Sequence, residues 1–514
     1  MSTVVDVNVS PNGSRESRRE KISFVIYTGL TIIFAVGCVF IYCLGAIQKA
    51  FFVFYVSGYG VMALMYYIAT TIFAMSNKIK MDSRSAKEQD EEAPYSPSVG
   101  VHVVGYREDP DYFRRCLESV KKLNYGNVRS ISVVVDGNDT EDMYMADIAK
   151  DVFSNTGYTC LNLTVNPRSE VDGYNTALQT VPRERDLKSG PTVCIVTQPH
   201  NGKREVIYTA YKISQLLGVD FFLNTDSDTI MDECALSEMV GVTRDRPTIG
   251  AVAGVLTIFN ANNWLSKLSA SRYVVAFNIE RASQSFHGVL NCISGPLGMY
   301  KMDKVTAVMD EWVDQHFMGK KCTFGDDRHL TNMMLSINHE VVYTHRARAS
   351  TETPTEYARF VAQQTRWSKS FWREMLLQTR WAYKHWYMML ELIYNVLFPI
   401  LIVTTILTVV FTRAWTSHLA IAIVTFFLPL VRSIVVYLLF KCDSVVFYNV
   451  FYPFLYFSTL LPVKFVALFT VNNTSWGTSS RKKIVRDLSP VIPVIVWNLL
   501  LAVGITIHVV KTMY

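Results

Sequence analysis

Apolar residues are concentrated at the two ends of the chain, before residue 76 and after residue 386, with an ordinary soluble mixture between them. Residues 22–47 and 50–75 are each long enough to cross a bilayer, which takes about 20 apolar residues. Arg15, Arg18, Arg19 and Lys21 precede the first run, and Lys78 and Lys80 follow the second. Basic flanks favour the cytoplasmic side, so the pair (22–75) reads as a transmembrane hairpin turning near Gln48-Lys49. Residues 1–21 are polar and expected to be disordered. No small-residue cleavage site follows the first run, which therefore reads as an anchor and not a signal peptide.

Residues 76–98 form a charged linker with Pro94 and Pro97. From residue 99 the pattern changes to β-branched strands separated by helical stretches. "SVGVHVVGYRED", "VRSISVVVDGND", "GPTVCIVTQ" and "VDFFLNTDSD" read as buried strands, with a helix over 111–123 after the first. Such alternation predicts a doubly wound α/β sheet, in which ligands sit at the carboxyl ends of the strands. Tyr106, Glu108, Asp136, Asp226 and Asp228 all fall just past strand ends, which points to one nucleotide pocket. Residues 263–285 are amphipathic and read either as a helix on the membrane surface or as a core helix of this domain, which extends over 99–386.

Two further apolar runs make a second hairpin, 387–440. Residues 445–471 are apolar but carry Pro453, Pro462 and Lys464, which favours an interfacial or re-entrant segment over a clean span. That keeps the basic loop 475–486 cytoplasmic, and 490–510 then crosses outward.

The chain has 514 residues, half of them apolar, and a net charge of +6. On this pattern the positive charge reflects cytoplasmic loops and not nucleic-acid binding, since no basic stripe with interleaved aromatics is present. The nine cysteines are scattered without CxxC spacing, against a disulfide framework or zinc site and in favour of thiols in a reducing cytosol.

Several short patterns carry chemistry. Asp226-Ser-Asp228 places carboxylates on alternate residues at a strand end, where both can approach one hard divalent ion, Mn2+ or Mg2+, that also takes phosphate oxygens. A solvated acidic turn is the bland alternative. Asp136 can accept hydrogen bonds from a base or ribose, Tyr106 can stack on the base, and Glu108 can bind the base edge or ribose. Each is otherwise an ordinary turn residue capping the next helix. "GDDRHL" sets Asp326 and Asp327 beside Gly325 at a turn, either as reactive carboxylates or as the N-cap of a helix over 328–335. In "QQTRW", Gln363, Arg366 and Trp367 share one helical face. Arg366 suits a diphosphate, Gln363 a phosphate or sugar, and Trp367 the face of a sugar ring or a membrane interface.

"GDDRHLTN" followed by "QQTRWSKSFWRE", with "NTDSDT", "SGPLGMY" and "SWGTSSRKK" in the same order, resembles class I hyaluronan synthases, membrane-embedded family-2 glycosyltransferases. The resemblance runs from about residue 20 to the C-terminus. It implies a GT-A-like α/β domain facing the cytosol, inserted between transmembrane helices, with the plasma membrane as the expected location. It implies Asp327 as the general base, with Asp326 supporting it. Asp228 becomes the firmer metal ligand and Asp226 faces the nucleotide or donor sugar. Lys203 looks like the uridine-diphosphate contact, with a solvated lysine as its bland alternative. Ser294, Gly295 and Pro296 look like the acceptor loop, with Trp367 as its floor and Cys292 lining it or buried structurally. Trp476 and Arg481 look like a gating loop closing over the donor. The implied partners are UDP-GlcA, UDP-GlcNAc, the nascent hyaluronan and the lipid bilayer, with no nucleic acid and a monomer as the expected assembly. The family usually carries one more span after 490–510, so either the chain is shortened or 445–471 itself spans. The competing readings are a chitin- or cellulose-type synthase using one donor, and a catalytically silent membrane sugar-binding transporter or receptor.

Overall fold

The computed structural model describes residues 48–89, 95–156, 158–181, 191–412, 415–474 and 488–513. The first expected span, 22–47, lies outside them.

The strands are β1 Val99–Gly105, β2 Val128–Asp136, β3 Thr159–Thr164, β4 Thr192–Gln198, β5 Phe221–Asp226, β6 Ile230–Met231, β7 Ile249–Ile258, β8 Gly298–Lys301, β9 His316–Phe317, β10 Lys320–Lys321 and β11 Glu340–Thr351. Nine of them form one sheet in the order β3-β4-β2-β1-β5-β8-β7-β11-β6. β3, β4, β2, β1 and β5 run parallel. β8 is antiparallel between β5 and β7, and β6 is antiparallel to β11 at the far edge. The sheet is therefore mixed, as in GT-A-like domains.

The central strands β1, β2, β4 and β5 are almost wholly buried, which is why their sequences are continuous apolar runs and not alternating ones. The flanking helices are amphipathic. Pro110–Lys121 buries Phe113, Cys116, Leu117 and Val120, a spacing of three and four that lays one face on the sheet. It starts where Asp109 accepts from the backbone N–H groups of Asp111 and Tyr112, with Pro110 in the first turn, a pairing that satisfies otherwise orphaned donors.

β1 and β5 are neighbours, with Val104 opposite Asp226. The chain leaves β1 toward β2 on one side, while β5 lies on the other. The carboxyl ends of this central pair therefore open a crevice of the kind where α/β sheets bind ligands.

The Gln48–Gln89 helix continues through residues 76–89, which the sequence pattern assigned to a linker. Ala74 and Met81 are buried against the domain, and Asn77 Nδ2 donates to the Tyr343 carbonyl at 3.3 Å. The stretch 264–286 is helical with a π-turn at Ala276–Arg281. Most of its residues are buried, while Trp264 is exposed and meets the rings of Tyr448 and Phe451.

Three described stretches are long and apolar enough to cross a membrane: Trp386–Leu407, Tyr452–Phe469 and Ser489–Lys511. The middle one is broken. A 3-10 turn at Ser444–Val450 is followed by Tyr452–Leu455, a π-turn at Tyr456–Leu460 and Leu461–Phe469. It thus has the length and hydropathy of a span but the interruptions that Pro453 and Pro462 suggest.

Candidate active site

Lys203 opens the Lys203–Leu216 helix, just after Gly202 at φ 99°. Its Nζ lies 2.6 Å from Asp226 Oδ1 and 3.6 Å from Asp326 Oδ2. It is therefore not the solvated lysine of the bland alternative. Burial alone would lower its pKa, but Asp226, Asp326 and Asp327 outweigh burial and hold it above the usual lysine range. Burial pushes the Asp226 pKa up, with Asp228 adding to this and Lys203 opposing it. Burial would raise Asp326 as well, but Lys203 and Arg204 more than offset it and the group is held low. One ammonium thus joins the acidic end of β5 to the first carboxylate of the Asp326–Ser336 helix.

The expected nucleotide side forms a shallow wall. The Tyr106 ring is stacked on His200, centroids 4.1 Å apart. His200 Nδ1 lies 2.9 Å from Asp136 Oδ2, and this hydrogen bond raises the His200 pKa. Asp136 Oδ1 also accepts the backbone N–H groups of Asn201 and Gly202, at 2.9 and 3.2 Å. Asp136 therefore shapes the turn that delivers Lys203. Nothing in the local sequence indicates that His200 would lie over Tyr106. Glu108 is buried and accepts from Ser227 Oγ at 3.0 Å, which places it against the Asp226-Ser227-Asp228 turn. Asp228 is buried and accepts from Thr229 Oγ1 at 3.3 Å.

The expected acceptor side reaches the same point. Asn224 Nδ2 donates to the Gly295 carbonyl at 3.2 Å, and Thr225 Oγ1 to that of Pro296 at 2.8 Å. These bonds hang the 294–297 turn, closed by Leu297 N–H donating to the Ser294 carbonyl, on the end of β5. A Cβ on Gly295 would sit 2.9 Å from Lys203 Nζ and 3.3 Å from both Asp226 oxygens. A larger residue here would have to displace the Lys203 ammonium from this approach.

Asp326 and Asp327 lie in the first turn of the Asp326–Ser336 helix, and the cap position is Gly325 at φ 77°. The N-cap reading of the two aspartates is thus replaced by a first-turn position, where negative charge faces the helix dipole favourably. Asp326 is buried. Asp327 is half-buried and accepts from Arg328 N at 2.7 Å and from Cys292 Sγ at 3.5 Å. Burial and the Asp327 charge push the Cys292 thiol up to about 12, so it stays a donor.

The Tyr357–Gln378 helix covers this point. Arg366 lies in the field of Asp326, Asp327 and Asp226, which oppose the lowering of its pKa by burial. Gln363 buries its amide oxygen with no hydrogen-bond partner among the described residues. Trp367 is 41% exposed. Beneath them lies a polar core that the sequence reading did not single out. Glu374 accepts from Gln315 Nε2 at 2.7 Å and Asn332 Nδ2 at 3.0 Å, and lies 3.0 Å from His329 Nδ1. Arg204 reaches the Trp312 carbonyl and Gln315, and Trp312 Nε1 donates to the Asp326 carbonyl. Trp476 and Arg481 lie outside the described residues.

Residues 97–370 match the model of the glycosyltransferase-like family 2. With the mixed sheet and its acidic strand ends, this makes the chain a GT-A-like family-2 glycosyltransferase. The likeness then narrows. Hyaluronan synthase 2 of Xenopus laevis is 37% identical over 93% of this chain and 86% of its own length. Hyaluronan synthase 2 of Homo sapiens is 37% identical over 94% and 86%, and hyaluronan synthase 3 of Homo sapiens 36% over 87% and 81%. The chain belongs to the hyaluronan synthase family. It is a membrane protein that uses nucleotide-sugar substrates. Among solved structures, a mannosyltransferase from Pyrobaculum calidifontis in complex with GDP-Man and Mn2+ aligns at TM-score 0.43 and 13% identity, over 79% of this chain and 97% of that one. That likeness is too low to place a ligand or an ion here.

Proposed function

We propose that the chain is a processive hyaluronan synthase that alternately transfers GlcA and GlcNAc from their UDP forms, with inversion, onto a growing chain. It extrudes the polymer through its own helices, with the catalytic domain on the cytosolic side of the plasma membrane. The observation that carries this reading is Lys203, whose one ammonium contacts both Asp226 at the donor end and Asp326 beside the base. Donor and acceptor are thereby brought to one locus.

In this reading Asp327 takes the proton of the acceptor hydroxyl as the new bond forms, the work of a general base. Its carboxylate is held by the Arg328 N–H and the Cys292 thiol, which aim it. Arg366 grips the departing diphosphate, and Gln363 offers its unused amide oxygen to a donor hydroxyl. Tyr106 receives the base once His200 moves from its ring, and Glu108 stiffens the Asp226–Asp228 turn. Ser294, Gly295 and Pro296 guide the acceptor past Lys203, with Trp367 beneath the sugar. Trp476 and Arg481 belong to a loop assigned to closure over the donor.

A divalent cation, Mn2+ or Mg2+, fits the acidic turn. Asp226 is pushed up by burial and by the charge of Asp228, a repulsion that a cation relieves. No cluster of three or more acidic, histidine or cysteine ligands exists among the described residues. Asp226 and Asp228 would hold the ion, together with oxygens of the donor diphosphate. When bound, the ion neutralises charge on the leaving group.

The deciding experiment is UDP release by purified protein with Mn2+ and each UDP-sugar, singly and paired. Sustained release that needs both donors, with a product destroyed by hyaluronidase, is expected. Sustained release from one donor, with a resistant polymer, moves the chain to the chitin or cellulose type. No release at all leaves a silent sugar-binding protein.

A further inference from the structure

Beside Asp327, on the side facing the Trp386–Thr412 helix, lies a narrow cleft lined by Asn291, Arg328, Phe371, Gln378, Leu392 and Asn395. Its cavity measures about 10 Å³, within about 260 Å³ of free space that includes the open mouth. The cavity is the room of about one water-sized group. It has room for a single oxygen of a group projecting from a sugar, the remainder staying in the open mouth, and not for a whole ring.

Its lining is mixed: Phe371, Met375 and Leu392 are apolar, Arg328 supplies the cation, and the Asn291 and Gln378 amides already donate to Glu391 and Asn332. The Arg328 guanidinium lies over the Phe371 ring at 5.6 Å, and Lys464 Nζ approaches the same ring at 5.8 Å. Among the described residues neither cation has a carboxylate within ion-pair distance. The acidic groups nearby are otherwise engaged. Asp327 accepts the Arg328 backbone N–H and the Cys292 thiol. Glu391 is taken up by Gln284, Tyr66 and, at 3.5 Å, Asn291. Glu374 is held by Gln315, His329 and Asn332. Two half-buried cations on one aromatic ring carry a desolvation cost that an incoming anion would offset. A guanidinium matches a carboxylate in a planar, two-point geometry.

We propose that Arg328, with the amide of Asn395, forms a subsite for the carboxylate of a uronate unit in the acceptor chain, one step membrane-ward of Asp327. This rests on the hyaluronan reading above and deepens it. A subsite that reads a carboxylate at a fixed distance from the base distinguishes a chain ending in one sugar from a chain ending in the other. Arg328 is thus a specificity-determining residue, and Asp327 remains the base.

The test measures binding of two oligosaccharides to the purified full-length chain in lipid nanodiscs. One is a hyaluronan hexasaccharide and the other is the same hexasaccharide with its carboxyls reduced to alcohols. A charge-assisted contact predicts that the parent protein binds the acidic form about tenfold or more tightly. Arg328→Gln should shrink that ratio to within about threefold, while Arg328→Lys keeps part of it, as a point charge without the planar fork would. Equal affinities in the parent overturn the subsite, and so does an unchanged ratio in Arg328→Gln. The parent comparison needs no variant, so a misfolded Arg328→Gln does not rescue the idea. A parent that makes hyaluronan yet binds both forms equally refutes this subsite alone. A parent that makes no hyaluronan removes the functional reading beneath it.

Discussion

Asp326 and Asp327 are adjacent in the chain yet sit in different surroundings. Asp326 is buried beside Lys203, and Lys203, Arg204 and Arg366 outweigh its desolvation and keep it ionised. A carboxylate so tightly compensated is a poor proton acceptor and a good structural anchor. Asp327 is half-buried, next to the Cys292 thiol, and is the more exposed of the pair. Asp327→Asn keeps the side-chain volume but removes the proposed base. Polymer formation should fall by about two to four orders of magnitude, the usual worth of a general base. Binding of UDP-sugar should stay close to that of the parent, since the variant leaves Tyr106 and Lys203 untouched. Radiolabelled polymer and donor titration read the two quantities separately. Polymerisation at a near-parental rate would remove Asp327 from the role.

At the scale of elements, the Asp326–Ser336 and Tyr357–Gln378 helices are held together by Glu374. Burial would raise its pKa, but His329, Arg373 and Gln315 prevail and hold it down at about 2. A depressed carboxylate contributes stability that is present above the ordinary glutamate range, near pH 4.5, and is lost as pH falls toward 2. Glu374→Gln breaks a buried charge arrangement and should cost about 3–5 kcal/mol. Thermal unfolding in nanodiscs at pH 7 should therefore drop by several degrees. The gap between parent and variant should narrow as the buffer is taken from pH 5 to pH 3. Identical melting temperatures at pH 7 would show that the network adds nothing.

This network also marks the limit of what the sequence discloses. The strands β1, β2, β4 and β5 were legible because a strand buried on both faces is written as an uninterrupted apolar run. The acidic turns were legible because they follow such runs directly. Gln315, Asn332 and Glu374 have no such signature, since residues far apart in the chain meet only through the fold. The same holds for Lys203 against Asp326, and for His200 over Tyr106. The antiparallel insertion of β8 between β5 and β7 was also hidden. "GMYK" is four residues long, and nothing local states which strand it pairs with. The continuation of the Gln48–Gln89 helix through a charged stretch is a further case. Asp82 and Arg346 there pair across the domain surface, and composition alone resembled a linker.

At the scale of the whole molecule, the open matter is which side of the membrane carries the transferase domain. The proposed function puts it in the cytosol, as the basic flanks of the apolar runs favour, and its own cysteines offer a test. Among the described residues, Cys160 and Cys234 are exposed, Cys442 is half-exposed, and Cys116, Cys194, Cys292 and Cys322 are buried. Cys160 lies on the edge strand β3, and Cys234 precedes the Ala235–Thr243 helix. Cys442 follows the Trp415–Phe440 helix, where the expected second hairpin would return to the cytosolic side. Exposed thiols react with maleimides and buried ones are shielded. A membrane-impermeant maleimide applied to intact cells should therefore leave Cys160, Cys234 and Cys442 unmodified. After permeabilisation, peptide mass spectrometry should find Cys160 and Cys234 modified first, Cys442 more slowly, and the buried four only after denaturation. Modification of Cys160 or Cys234 in intact cells would put the domain outside, away from any cytosolic supply of UDP-sugars. Synthesis coupled to outward export would then have no physical basis in this chain.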